Sequence, residues 1–175
     1  MKEIKLTQGF VAQVDDEDFE YLNQFKWYAA ANPLKKSIRW YAIRHEENNN
    51  RLIISMHREI MNTAKGFEVD HIDHNGLNNQ RINLRNCNKE QNGRNRASVG
   101  QSKYLGVNFY YSSSGKKYIR AALRLNKKYT YLGTFINESE AAFAYDIAAM
   151  QNHKEFANTN FKYAEWFKRF LYNRN

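Results

Sequence analysis

Cysteine occurs once in this chain, at Cys87, and proline once, at Pro33. A single thiol excludes a disulfide framework and a four-thiolate zinc site. No apolar run approaches the roughly 20 residues that a membrane-spanning helix needs. The opening Met1-Lys2-Glu3-Ile4-Lys5 leads into no apolar signal core. These absences predict a protein of a reducing, cytoplasmic compartment, away from membranes, with no feature that marks an obligate protein partner.

Acidic charge is scarce over much of the chain. Residues 1–60 balance nine acidic against nine basic side chains, whereas residues 61–175 hold nine against eighteen, so the whole +9 excess lies there. Within residues 81–128, twelve Lys and Arg face the single acid Glu90. Such a block repels itself unless an anion lies across it, and a polyphosphate backbone is the commonest such anion. Aromatic residues are plentiful, with 12 Tyr and 11 Phe, and they are interleaved with the charges. That interleaving favours a nucleic-acid partner over a merely solvated basic surface. At 175 residues, 42% of them apolar, the chain can form one domain or two small ones with packed cores.

The first 60 residues read as strand-rich. Gly9 to Val14 alternates at period two and ends in the acidic turn Asp15-Asp16-Glu17-Asp18. Phe19, Leu22, Phe25 and Trp27 suggest a short helix and then a strand. Trp40 to Ile43 and Leu52 to Met56 read as two strands joined by the polar loop Glu46–Arg51, and Met56 to Met61 as a short helix. His57, alone beside apolar residues, reads as a buried structural group rather than a ligand.

The densest chemistry lies between Asp70 and Arg96. Phe67 to His71 predicts a strand delivering Asp70 and His71 to its end, with Asn75-Gly76 as the turn signal of the loop that follows. Ile82 to Arg85 predicts the antiparallel return, and Asn88 to Asn92 a short helix. An imidazole titrates around pH 6.5 and can take a proton from water, a role His71 would fill. Asp70 and Asn92 offer hard oxygens of the kind Mg²⁺ or Mn²⁺ accepts. Arg94, Arg85 and Arg96 are candidates to neutralise phosphate charge, and the sequence does not choose among them. A zinc site on His71, His74 and Cys87 lacks a fourth ligand.

Asp70-His71, Asn83 and Asn92 at these spacings resemble the HNH nucleases of the ββα-metal (His-Me finger) class. The likeness is to the variant with Asn in the third position that phage and intron-borne homing endonucleases use. It extends to Met56-His57-Arg58, Asn83-Leu84-Arg85 and Gln91-Asn92, about forty residues in all. The resemblance implies a catalytic group of His71, Asn83 and Arg94, with Asn83, by its side chain or its backbone carbonyl, holding the imidazole, and one Mg²⁺ or Mn²⁺ on Asp70 and Asn92. His74 departs from the family pattern.

Beyond the small, polar residues 97–103, three strands are expected. Leu105, Val107 and Phe109 alternate with Asn108 and Tyr110. Ile119, Ala121, Leu123 and Leu125 alternate with Tyr118, Arg120, Ala122 and Arg124, and Tyr129 and Tyr131 with Thr130 and Leu132. One face is then apolar and the other carries arginines and tyrosines. Asn137 to Glu140 reads as a capping box. It opens a helix whose Ala141, Ala142, Tyr145, Ala148 and Ala149 allow close packing on the sheet. Tyr163, Trp166, Phe167, Phe170 and Leu171 recur at helical spacing and are expected to pack as core.

Tyr104 to Val107, Tyr131 to Phe135, Glu140-Ala141-Ala142, Ala144-Tyr145-Asp146 and Asn158 to Phe161 resemble the plant ethylene-response-factor (APETALA-type) DNA-binding domain, which is also found fused to phage HNH nucleases. That likeness implies a sheet in the major groove of double-stranded DNA. The contacting face would hold Asn108, Tyr110, Arg120, Arg124, Tyr129 and Tyr131, with Lys127 and Lys128 near phosphates. Asn108 and Tyr110 stand where plant members often have Arg, so base specificity does not carry over.

The expected fold is α+β. A nuclease domain at 1–96 has a strand-rich lead-in and a ββα-metal core; a linker at 97–103 precedes a DNA-binding domain at 104–175, a three-stranded antiparallel sheet packed on a helix. The leading functional expectation is a metal-dependent homing endonuclease, acting in the host cytoplasm if phage-encoded. The alternative is a sequence-specific DNA-binding regulator whose nuclease half is a relic.

Overall fold

The computed structural model describes residues 1–31, 39–46, 49–95, 98, 100–125 and 128–173, without the side chains of 49–51. Pro33, Asn48, Arg96, Ala97, Val99, Asn126, Lys127 and Arg174 lie outside the described residues. The chain is α+β with several antiparallel sheets, and it divides into two compact units, Met1–Asn92 and Gly93–Asn175.

In the first unit, β1 (Lys2–Lys5) pairs antiparallel with β2 (Val11–Val14). The sequence reading missed β1, because its apolar and charged residues alternate over only four positions. The acids expected as a turn instead open a helix, α1 (Asp16–Leu22), with Asp15 at the N-cap position. Carboxylates in a first turn are favoured by the positive end of the helix dipole. A three-stranded sheet follows, with β3 (Tyr28–Ala31), β4 (Trp40–Glu46) and β5 (Asn49–Ser55) in spatial order 3-4-5. Glu46 and Asn49 pair across a register shift, so the strands reach further into the expected loop than their composition suggests. Met56 begins α2 (Met56–Ile60), the short helix expected from that residue on. Ile4, Val14, Leu22, Trp27, Met56 and Leu84 are buried in one core, each large aliphatic contributing about 1.5–3 kcal/mol. Arg44 enters this core by pairing with Glu59 at 2.9 Å and stacking on the Phe25 ring at 4.0 Å.

The unit ends in a hairpin of β6 (Glu68–His71) and β7 (Leu84–Cys87), closed by the one-turn helix α3 (Lys89–Asn92). Asp70 pairs with Arg85 and His71 with Leu84 in the ladder. The connecting loop is tied down from outside the hairpin. Gln13 of β2 donates to the Leu77 carbonyl and accepts from Asn79 N, both at 2.8 Å, and the Asp15 carboxylate accepts from Arg81 N at 2.7 Å.

The second unit is a sheet of β8 (Val107–Tyr111), β9 (Lys117–Leu125) and β10 (Lys128–Phe135), with β9 central and both pairings antiparallel. Its back face packs on α4 (Glu138–His153), and α5 (Glu165–Tyr172) packs on α4. The expected N-cap is present, with Glu140 N donating to Asn137 Oδ1 at 2.9 Å; the Glu140 carboxylate returns to the Asn137 side chain, accepting from Nδ2 at 2.9 Å, rather than to its backbone N–H as in a full capping box. Val107, Ala121, Ala141 and Ala142 form the buried contact. Small side chains on the helix are what let it approach, and Gly106 extends the same logic. At φ +73°, a Cβ there would lie 1.9 Å from the Tyr145 ring.

Helical spacing sorts the tail differently from the all-core expectation. Tyr163 and Phe167 are half-buried and Leu171 is buried, whereas Trp166 is 72% and Phe170 51% exposed. The first three recur every fourth residue and share one stripe; Trp166 and Phe170 fall on the neighbouring stripe, which faces solvent.

Candidate nucleic-acid interface

The front face of the second unit's sheet follows from strand alternation. In β9, Ala121 and Leu123 are buried toward α4, so Tyr118, Arg120, Ala122 and Arg124 point the other way. Register places Tyr110 opposite Tyr118, Asn108 opposite Arg120, Tyr131 opposite Ala122 and Tyr129 opposite Arg124. Asn108, Tyr110, Arg124, Lys128, Tyr129 and Tyr131 are exposed, Tyr129 to 74% and Tyr131 to 60%.

Two arginines are oriented by aromatic rings. The Arg120 guanidinium sits 3.7 Å from the Tyr110 ring centroid and 5.8 Å from that of Tyr131. Arg124 lies 5.9 Å from the Tyr129 ring. Such contacts contribute about 0.5–1 kcal/mol each at exposed sites, and they restrict where the planar donor fork can point. Thr134 was missed by the alternation. A register shift between Tyr131 and Gly133 inserts one residue, bringing Thr134 opposite Arg120 on the front face. There its hydroxyl shares a 2.6 Å hydrogen bond with the Tyr131 hydroxyl. Asn108, Arg120 and Thr134 thus form one row across three strands, with cationic and aromatic side chains on either side. Lys127 lies outside the described residues.

In the first unit, the residues singled out near the hairpin have different neighbours from those expected. Asp70 is buried and its Oδ2 accepts from Arg85 at 2.7 and 3.0 Å. Arg85 is therefore engaged with Oδ2 of that carboxylate. Asn92 Nδ2 donates to Glu68 Oε2. Cys87 is buried, with its thiol on the Glu68 carbonyl. Among the described residues, no group of three or more His, Cys, Asp or Glu side chains is arranged to hold a metal ion.

The amide at the imidazole Nε2 is that of Asn79. His71 Nε2 meets Asn79 Oδ1 at 3.2 Å, and Asn79 Nδ2 donates to the Leu77 carbonyl, so the imidazole is the donor. Asn83 instead organises the loop: its Nδ2 donates to Asp73 Oδ1 at 2.9 Å and to the Asn78 carbonyl at 2.8 Å. Its backbone carbonyl accepts from Ile72 N at 2.9 Å. Asn79 is fully buried eight residues after His71, within a run of polar loop residues that gives it no distinguishing mark.

Burial lowers the proton affinity of His71, against the opposing pull of Asn79, Asp73 and Asp70. His57 packs edge-on against it at 5.0 Å between ring centroids, and burial pushes His57 down to about 3, with His71 and Arg58 adding to the effect. His74 accepts from Arg39 at Nδ1, 3.2 Å away. Arg94 is half-buried and belongs to the second unit.

Comparison with known proteins gives relatives of one kind. An AP2-like ethylene-responsive transcription factor of Arabidopsis thaliana is 41% identical over 71 residues, 41% of this chain and 20% of the relative. APETALA2-like protein 2 of Oryza sativa is 43% identical over 67 residues, 38% of this chain and 15% of its own length. Ethylene-responsive transcription factor WRI1 of Arabidopsis thaliana is 39% identical over 72 residues, 41% of this chain and 16% of the relative. The chain thus spans a fifth or less of the length of these relatives, and the similarity, on about 40% of it, supports an AP2-type DNA-binding domain. No protein-family model and no solved structure matches the chain.

These relatives correct the enzymatic expectation. They are transcription factors and not HNH endonucleases, so the reading as a phosphodiester-cleaving enzyme is overturned, and the nuclease core inferred at Asp70 to Asn92 has no support from them. Four matching side chains over forty residues outweighed, in the sequence, a basic sheet module that accounts for more of the chain. No described helix is long and apolar enough to cross a membrane.

Proposed function

We propose that the protein is a sequence-specific DNA-binding regulator whose second unit binds double-stranded DNA through the front face of its sheet. The observation that carries this reading is the set of two arginines held by tyrosine rings on an exposed sheet surface. A β-sheet lying with one face in the major groove presents alternate side chains to base edges, and Arg and Asn are the residues best suited to read guanine and adenine there. Arg120 and Asn108 sit in one row and would contact bases. Arg124, Tyr110, Tyr129 and Tyr131 would flank them, and Lys128, with Lys127, would reach phosphates. The likeness to APETALA2-type transcription factors supports the same partner.

The test is selection from a pool of random duplexes by the full chain. Enrichment of one short motif, with each mismatch costing about 1–3 kcal/mol, is the expected result. Equal retention of all sequences would remove sequence specificity from the proposal.

A further inference from the structure

The two edges of the Arg120 guanidinium are not equally open. The side chain is half-buried, and its Nε is buried with no hydrogen-bond partner. A guanidinium can meet a pair of acceptors with either of two edges: Nε and one terminal nitrogen, or the two terminal nitrogens together. Burial of Nε closes the first edge. Tyrosines from both neighbouring strands flank the group. Tyr110 of β8 lies opposite Tyr118, and Tyr131 of β10 lies opposite Ala122. Each is therefore a diagonal neighbour of Arg120, on opposite sides of it, within reach of a long side chain. The guanidinium carbon is 3.7 Å from the Tyr110 ring centroid and 5.8 Å from that of Tyr131. Both rings are held in turn. Tyr110 packs on Tyr118 at 6.2 Å between centroids, and the Tyr131 hydroxyl is bonded to that of Thr134 at 2.6 Å. Arg124 is seated differently: it is exposed, with the Tyr129 ring 5.9 Å away.

We propose that Tyr110 and Tyr131 are positioning residues that aim the two terminal nitrogens of Arg120 at one guanine of the target, an assignment that rests on the sheet as the DNA-reading face. Guanine presents two acceptors side by side in the major groove, O6 and N7, and so matches an edge made only of donors. Adenine sets a donor beside its one acceptor, thymine offers a single acceptor, and cytosine offers a donor. Each of these leaves a terminal N–H of Arg120 unmatched. A fork already held by rings also loses less side-chain freedom when it binds. The preference for that guanine then depends on the Tyr110 ring as well as on the charge of Arg120. A phosphate would accept from the same edge, but it carries no sequence information.

The test is competition binding of the full chain to its selected duplex, with each guanine replaced in turn by 7-deazaguanine. That base keeps O6 and its pairing edge but has carbon where the N7 acceptor stood. Wild type is expected to lose about tenfold in affinity at one guanine, and Arg120→Ala to lose nothing there. In Tyr110→Ala the penalty at that guanine should shrink to about twofold, with an unchanged salt slope, since no charge is removed. Tyr110→Phe keeps the ring and should keep the full penalty. Tyr110→Ala added to Arg120→Ala should change nothing further at that position. A Tyr110 that only supports the sheet would weaken every duplex alike and leave the tenfold penalty in place, which would overturn the proposal. So would a wild type that selects a motif yet shows no penalty at any guanine, as a phosphate contact would give, or a penalty that persists in Arg120→Ala. Selection of no motif by the wild type would overturn the sheet reading itself, and this assignment with it.

Discussion

Removing the Asp146 carboxylate should unlatch the second unit. Asp146 is fully buried on α4 and accepts from four donors: Asn160 N at 2.8 and 2.9 Å, Asn160 Nδ2 at 2.9 Å, Phe161 N at 3.0 Å and the Tyr163 hydroxyl at 3.0 Å. Asn160 carries the latch onward, accepting from Leu105 N at 2.6 Å and donating to the Leu105 carbonyl at 3.1 Å, just before β8. Burial raises the proton affinity of Asp146 and the four donors oppose it. In Asp146→Ala, the Tyr163 hydroxyl can rotate and Asn160 Nδ2 keeps Leu105, but two backbone N–H groups lose their acceptor inside the fold. At about 1–3 kcal/mol each, and allowing for the relieved burial of the carboxylate, the expected loss is about 3 kcal/mol. That is a large share of the 5–15 kcal/mol typical of a whole domain. Asp146→Asn keeps one acceptor oxygen and should lose about half as much. Native-state hydrogen exchange of the β8 and β9 amides in the full chain reads this directly. Protection factors that fall by less than about fivefold in Asp146→Ala would refute the latch.

Gly106→Ala adds a Cβ 1.9 Å from the Tyr145 ring at a left-handed φ, and should cost about 3 kcal/mol through overpacking and strain, seen as loss of the second unit's thermal transition. The first unit should weaken in acid. With His57 held near 3 against an ordinary 6.5, the unfolded chain binds a proton that the folded one refuses. Stability is therefore full above pH 6.5 and declines as pH falls toward 3, by about 2 kcal/mol at pH 5. Urea unfolding followed by Trp27 fluorescence should show this slope, and His57→Phe should flatten it. Arg120→Lys keeps the charge and loses the planar fork stacked on Tyr110. It should preserve the salt dependence of DNA binding while reducing discrimination between motifs by about tenfold, measured by competition.

Local chemistry made much of the second unit legible. Period-two alternation located all three strands, and Asn137 with Glu140 marked the start of α4. What stayed hidden depended on contacts distant in sequence. The shift at Tyr131 and Gly133 brings Thr134 forward without any periodic sign. The Asp146 to Asn160 latch joins residues fourteen apart whose types are common in turns. In the first unit, strand, return and short helix were all foreseeable, but not which amide meets His71. Four asparagines, at 75, 78, 79 and 83, occupy that loop, and only the tether from Gln13 to Leu77 and Asn79 decides their roles. The functional misreading has a related cause. Asp, His and Asn at suggestive spacing say which atoms are available, whereas Arg85 on Asp70 shows how one of them is engaged.

The most direct test of the sheet as the DNA-reading surface is the salt dependence of affinity for one selected duplex, compared between wild type and the Arg120→Ala, Arg124→Ala double variant. Loss of two cations from the interface should lower affinity and reduce the slope of log K against log salt by up to about 1.8. Equal affinity and equal slope in the two proteins would mean that DNA, if bound, is held elsewhere.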